Sequence, residues 1–440
     1  MNMDIYKEKG INLKQLTDIA ETALIVFVVL MFCISMTIPA KASHAFGAVF
    51  DFMMFICIIS GIGANILRRK EVDKAALILT LVYFLVRLIS YKVNSLPVTY
   101  GGSIMLQMFY LIGINRQLIN SKKKVYAALY AFLAFDVISL LLCHYIYYFK
   151  PETAERLIEP YVFQGGMTES CLFQSPNYAG MMTAAAVIVC IALMINSRFN
   201  RKVCLIMTPV ILLSLHMLFI RTACRSGQLG LILTIALMIL LFAVKRIDSI
   251  KWIVSLSLIA CILLLVPVGV LVYKGDNEKH ISDSTPLEMR VDLALTGRYA
   301  LWKTTMLSQK GHWLLGYGNN KRANKARKEY ISEHTVLDKD KLEEYYYWLS
   351  TEHTRQHNGS VALINEAGLI GALAMIALLL YRIKGLKGRF RDGNWEKILL
   401  VYLFWINVFE AKFLLQQFFT GLLIMILLMP DCEEETPSNE

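Results

Sequence analysis

YAGMMTAAAVIVCIALMIN, residues 178–196, contains no charged side chain. At about 1.5 Å of rise per residue, a helix of that length covers most of a bilayer's hydrocarbon core, about 30 Å thick. Lipid offers backbone groups no partner, so such a run reads as an α-helix bonded to itself. A barrel strand would instead show alternating segments of about ten residues. Working outward, further apolar runs lie near 19–40, 46–66, 73–91, 97–115, 125–148, 203–220, 227–244, 252–273, 358–381, 395–410 and 412–429. The last two are short and are joined by Glu410 and Lys412. Composition agrees: 56% of the residues are hydrophobic and 18% charged, against about 25% charged in an ordinary soluble domain, and mean hydropathy is +0.50.

The expectation is an all-α polytopic membrane helical bundle of about twelve transmembrane helices, with one long, partly helical extracytoplasmic loop. It divides into a cytoplasmic N-terminus (1–18), spans one to nine (19–273), the long loop (274–357), spans ten to twelve (358–429) and an acidic cytoplasmic tail (430–440). Orientation follows from lysine and arginine. With the N-terminus inside, inner loops collect Lys7, Lys9, Lys14, Arg68, Arg69, Lys70, Arg116, Lys122 to Lys124, Arg198, Arg201, Lys202, Lys245, Arg246 and Arg382 through Arg391. Short outer loops hold little beyond Lys41, Lys92, Lys150, Arg156, Arg221, Arg225 and Lys412. That asymmetry puts both termini in the cytoplasm and the arginine-rich 274–356 stretch outside, where its length exempts it from the charge rule. The net charge of +11 therefore reads as a topology signal plus an outer basic surface, and not as nucleic-acid binding.

Ala40-Lys41-Ala42 offers a signal-like cleavage site, but the apolar run before it exceeds a signal's core, so an uncleaved anchor is expected. Six of the nine cysteines, Cys33, Cys57, Cys143, Cys190, Cys204 and Cys261, fall inside expected spans without metal-type spacing and read as buried thiols. Cys171 and Cys224 lie on the outer side, where a disulfide between them is open. The tail Asp431–Glu440 reads as solvent-exposed. No sequence repeat is evident.

Three stretches carry chemistry. Phe173-Gln174-Ser175-Pro176-Asn177 enters a span, with proline as a helix-start signal. Arg221-Thr222-Ala223-Cys224-Arg225-Ser226-Gly227 forms a hairpin that sets two guanidinium groups at the membrane surface, where snorkelling is the simpler reading for Arg221. The long loop supplies Gly297-Arg298 followed by Trp302, then Gly316-Tyr317-Gly318, then His353, His357-Asn358 and Glu366-Ala367-Gly368.

In this order and spacing, over roughly 170–375, these elements resemble the O-antigen ligase and polymerase superfamily of bacterial envelope glycosyltransferases. Outside that range the resemblance rests on span count and topology alone. It implies a multi-pass enzyme of the bacterial cytoplasmic membrane that works on the outer face. Such an enzyme takes a glycan from an undecaprenyl-diphosphate carrier and transfers it to an acceptor glycan, with inversion and without metal or other cofactor. Arg225 and Arg298 match the positions that hold the diphosphate, with Arg221 assisting, and His357 matches the catalytic base. Asn358, Glu366, Asn177 and Trp302 are supporting positions, and His353 is a substitute base.

The residue types suit that chemistry independently. Guanidinium groups bind phosphate bidentately with permanent charge, and imidazole titrates near neutrality. A zinc pair of His353 and His357 lacks a third ligand, and Asp338-Lys339-Asp340 sits in a charge run that reads as a solvated helix. Among intramembrane polar residues, Arg87, Asp136, His216 and Glu410 invite suspicion of function, with Arg87 and Asp136 expected to pair. Tyr345-Tyr346-Tyr347-Trp348 suits either sugar stacking or an interfacial belt. A polymerase is preferred to a ligase. The rival from another class, a secondary transporter, would place charge at mid-membrane in two related halves.

Overall fold

The computed structural model describes residues 13–37, 74–96, 121–153, 170, 172–222, 224–263, 298–333 and 357–410, with single positions 49, 52, 56 and 59. The described residues form eleven principal α-helices: α1 (Leu13–Ile34), α2 (Lys74–Val93), α3 (Lys122–Phe149), α4 (Pro176–Asn196), α5 (Arg201–His216), α6 (Arg225–Ala243), α7 (Ile250–Leu263), α8 (Arg298–Leu307), α9 (Asn320–Glu333), α10 (Gly359–Lys384) and α11 (Ile398–Phe409). Among these residues there is no β-strand, only two isolated bridges.

Seven helices are long and apolar enough to cross a membrane: α1 to α4, α5 with the turn that continues it, α6 and α10. The run expected at 252–273 is described as far as Leu263, as α7, and that expected at 395–410 contains α11. Those at 46–66, 97–115 and 412–429 lie outside the described residues apart from single positions, so about twelve is not the number reached here. The Ala40–Ala42 site, Cys171, Asp338 to Asp340, Tyr345 to Trp348, His353 and the tail also lie outside them.

The opening stretch becomes α4, the centre of the bundle. Ser175 caps it by accepting from the Asn177 amide at 3.1 Å, with Pro176 pre-set in the first turn. Its run of small side chains, Ala184 to Ala186 among them, is fully buried, and α3, α5, α6 and α11 pack around it. α6 comes closest: a Cβ on Gly180 would collide with the Cys224 side chain, and one on Gly227 would sit 2.9 Å from the Gly180 carbonyl oxygen. α11, apolar on all sides, is buried against α4, α6, α7 and α10.

α10 is broken at Gly368, whose φ of 70° and ψ of −178° interrupt the helical ladder. The turn from Trp313 to Gly318 fills the break. Leu369 donates to the Trp313 carbonyl at 2.8 Å, Tyr317 to that of Asn365 at 2.8 Å, and Gly318 to that of Glu366 at 3.0 Å. Gly316 also has positive φ, +66°, and a Cβ there would lie 2.6 Å from the Glu366 carbonyl carbon. The Gly-x-Gly and Glu-x-Gly motifs are thus two halves of one backbone lock.

At one end of the bundle the basic residues gather and find partners. Lys124 pairs with Asp18 and Glu21, and Lys122 donates to the Gly393 carbonyl at 2.6 Å. Asp248 lies between Arg389 and Arg391, and Asn196 donates to Glu396 at 2.7 Å.

Two pairings differ from the sequence reading. Arg87 does not meet Asp136: it faces α10 and pairs with Glu366 at 3.5 Å, while Asp136 faces α5 and accepts from Ser214 at 3.4 Å. The two residues sit on helices that pack against different neighbours. Cys143, expected as an inert thiol, is disulfide-bonded, and Cys224 is a free thiol, which removes the Cys171–Cys224 bridge.

Two stability outcomes are expected. Gly368→Ala adds left-handed strain of about 1–3 kcal/mol to a collision with the Leu314 carbonyl, so the thermal midpoint of the detergent-solubilised protein, followed by intrinsic fluorescence, should fall. Arg87→Leu takes the ion-pair partner from the buried Glu366 carboxylate, a loss of about 3–5 kcal/mol, and Glu366→Gln added to it should recover part of that loss.

Candidate functional site

At the opposite end from the basic cluster, the chain leaving α11 reaches Glu410, whose side chain is 8% exposed. A carboxylate buried to that degree must be paired or heavily hydrogen-bonded. Its Oε1 accepts from Arg298 at 3.1 Å and from the Asn177 amide side chain at 3.1 Å. Its Oε2 lies 3.1 Å from His357 Nδ1. Four sequence-distant segments therefore converge on one carboxylate: the start of α4, the start of α8, the approach to α10 and the end of α11.

Each partner is delivered by local structure. Asn177 stands in the first turn of α4, fixed by the Ser175 cap. Arg298 opens α8, and Trp302, one turn further on and 3% exposed, anchors that helix in the protein. Asn358 caps α10 by accepting from the amides of Ser360 and Val361 at 3.0 and 2.9 Å, and its side-chain amide donates to the Val408 carbonyl at 2.8 Å. One asparagine thus starts the helix after His357 and ties it to the strand of chain before Glu410, which explains the adjacency of the His-Asn pair. His357 itself has φ of +48°, a left-handed conformation that a β-carbon disfavours and that surrounding contacts must hold.

The hairpin between α5 and α6 flanks this cluster. Cys224 caps α6, accepting from the Gly227 amide at 3.4 Å, and its Sγ approaches the Asn177 carbonyl at 3.6 Å. Burial pushes its thiol up, against the Ser226 and Gly227 hydrogen bonds, and Glu410 and Arg298 are close enough to act on it electrostatically. Arg225, the first residue of α6, is exposed beside it. α5 reaches the hairpin through a π-helical turn, Met217–Arg221, whose widened ladder leaves the Leu218 carbonyl to accept from Thr222 Oγ1 at 3.2 Å and Gln228 Nε2 at 3.1 Å.

The structure thus brings together Arg298, His357, Asn358 and Asn177, with Arg225 at their flank. Arg221 goes elsewhere: its guanidinium lies 3.2 Å from the centroid of the Tyr147 ring and donates to the Tyr148 hydroxyl at 3.3 Å. Glu366 is set against Arg87, and His353 falls outside the described residues. Glu410, the centre of the cluster, was legible only as one of several acids and bases in apolar surroundings. The available signal was its place between two unusually short apolar runs.

Chemically, the group is a carboxylate–imidazole pair beside guanidinium. If Nδ1–H is donated to Glu410, the tautomer is fixed with the Nε2 lone pair turned away from the carboxylate, and a side chain 31% exposed can present it to a ligand. Arg298, 15% exposed, is steered at one end and has further N–H groups to offer.

None of the curated proteins compared matches this chain. Residues 209–376 match the family described as O-antigen ligase, a stretch that runs from within α5 through the hairpin, Arg298 and His357 to the second half of α10. Over that stretch the chain is similar to the O-antigen ligase family, and the match falls within a chain whose described residues include seven helices long and apolar enough to cross a membrane.

Proposed function

We propose that the protein transfers a glycan from an undecaprenyl-diphosphate carrier to an acceptor sugar on the outer face of the bacterial cytoplasmic membrane. The observation that carries this reading is the convergence of His357 and Arg298 on Glu410, with Arg225 following Cys224, whose thiol approaches the Asn177 carbonyl. His357 acts as base. Its Nε2 takes the proton of the acceptor hydroxyl, and the imidazolium that forms is stabilised by Glu410. The hydroxyl oxygen forms the new bond at the anomeric carbon as the bond to the diphosphate oxygen breaks, and the electron pair leaves with the diphosphate. Attack opposite the leaving group inverts the centre. Arg298 and Arg225 neutralise the charge that develops there, the role a cation plays in other diphosphate sites, so the scheme requires no metal.

Orientation is supported from both ends. The basic residues gathered around Asn196 and Glu396 suit the cytoplasmic side, and the Cys143 disulfide, near the far end of α3, suits an oxidising exterior. We prefer a second lipid-linked repeat unit as acceptor, which makes the protein a polymerase in O-antigen, capsule or exopolysaccharide synthesis. A lipid or core acceptor would make it a ligase.

In a strain that depends on this protein, His357→Ala should lower transfer by about 10²–10⁴ and collapse surface polysaccharide to short chains on a gel. Long chains made by a well-expressed His357→Ala protein overturn the enzymatic reading. Arg298→Lys keeps the charge but loses the planar fork, so it should raise the apparent KM for the lipid-linked donor. Glu410→Gln should retain protein level while lowering kcat, since an amide stabilises imidazolium less than a carboxylate does. Glycan joined to a lipid core with no elongated carrier-linked product would establish the ligase.

A further inference from the structure

Away from Glu410, α3 and α5 face each other with two imidazoles. His144 Nε2 and His216 Nδ1 are 3.0 Å apart, the ring centroids 5.1 Å apart and the planes inclined by 40°. His144 Nδ1 lies 2.7 Å from the Leu140 carbonyl one turn back. A carbonyl accepts only, so Nδ1 carries the proton and the Nε2 lone pair is directed at His216. Both rings are half-buried, and the π-helical turn begins at the next residue, Met217. The proposed transfer uses neither histidine.

From this geometry we infer a divalent transition-metal site at the pair, formed by His144 Nε2 and His216 Nδ1 and completed by water. Imidazole nitrogen suits Cu²⁺, Ni²⁺ and Zn²⁺. Two zinc–nitrogen bonds of about 2.05 Å at the tetrahedral angle place their nitrogens about 3.3 Å apart; a tetragonal ion with cis ligands at about 2.0 Å places them about 2.8 Å apart. The 3.0 Å separation falls between, so a metal enters with a shift of the nitrogens by a few tenths of an ångström and a turn of each ring by about 40°, which brings its lone pair off the N–N line onto the ion. His216 then carries its proton on Nε2, and both lone pairs point at one ion. The carbonyl behind His144 is the outer partner that metal-bound histidines ordinarily have.

Charge sets the class of ion. No third His, Cys, Asp or Glu among the described residues joins the pair, and Arg221 stands close by, donating to the hydroxyl of Tyr148, whose ring stacks on that of His144. The guanidinium is itself held over the face of Tyr147. Two neutral ligands beside a cation make a weak, exchangeable site that takes Cu²⁺ most tightly. A bound ion clamps α3 to α5 directly before the turn leading to Arg221 and Arg225, which couples metal supply to the hairpin flanking the candidate site.

The test is Cu²⁺ alone, titrated into the full-length protein in nanodiscs of uncharged lipid. The expected result is one ion per chain with electron-paramagnetic-resonance splitting from two nitrogens. His144→Gln and His216→Gln should each weaken binding about tenfold or more and remove one nitrogen from the spectrum, whereas His312→Gln, a ring stacked on Tyr317 at 4.2 Å, should leave both unchanged. If the variants fold poorly, diethylpyrocarbonate labelling of the native protein replaces them, with Cu²⁺ expected to shield His144 and His216 together. Unaltered binding in both histidine variants, absence of binding, or labelling indifferent to Cu²⁺ overturns the site and leaves a hydrogen bond between helices. None of these readouts depends on glycosyl transfer.

Discussion

One buried carboxylate organises the end of the bundle where four distant chain segments meet. Glu410 lies at the end of the helix most completely surrounded by protein, and leaving it ionised there without partners would cost several kcal/mol. Arg298, Asn177 and His357 each meet it at 3.1 Å. Satisfying that charge requires the starts of α4 and α8, the approach to α10 and the end of α11 to reach the same point. The need to neutralise one group thereby fixes an imidazole and a guanidinium side by side, and the same contacts that steady the fold hold both groups in a defined orientation.

The surrounding motifs serve that convergence mostly through backbone. Ser175-Pro176 begins α4 at the register that brings Asn177 to Glu410, and Asn358 begins α10 while gripping the Val408 carbonyl. Gly316 and Gly368 admit a turn of the loop against the open ladder of α10, which ties the segment between α8 and α9 to the helix that follows His357. Gly180 and Gly227 bring α6 against α4 and so bring Arg225 to the cluster's edge. The motif glycines hold the backbones of separate segments in contact, and the polar side chains act from that frame.

Polar groups within the apolar bundle divide by what they meet. Arg87 and Glu366 are a structural pair joining α2 to α10, and Arg221 is spread over tyrosine rings. His144 and His216 share a single contact across α3 and α5. Sequence alone treats these groups as equals, because each is an ionisable residue in an apolar run. Their differences arise from which face of which helix meets which neighbour.

What the sequence determined is the class of structure and the chemistry available: runs too apolar and too long for anything but membrane helices, lysine and arginine biased to alternate loops, and His357, Arg225 and Arg298 in a recognisable order. These follow from local properties, namely the cost of exposing backbone to lipid and the fixed donor sets of side chains. The tertiary structure decided the rest. It took Glu366 out to Arg87, sent Arg221 to Tyr147 and raised Glu410 to the centre, since pairing a buried charge depends on helix azimuth and on chain segments as much as 233 residues apart, a relation that no local pattern records.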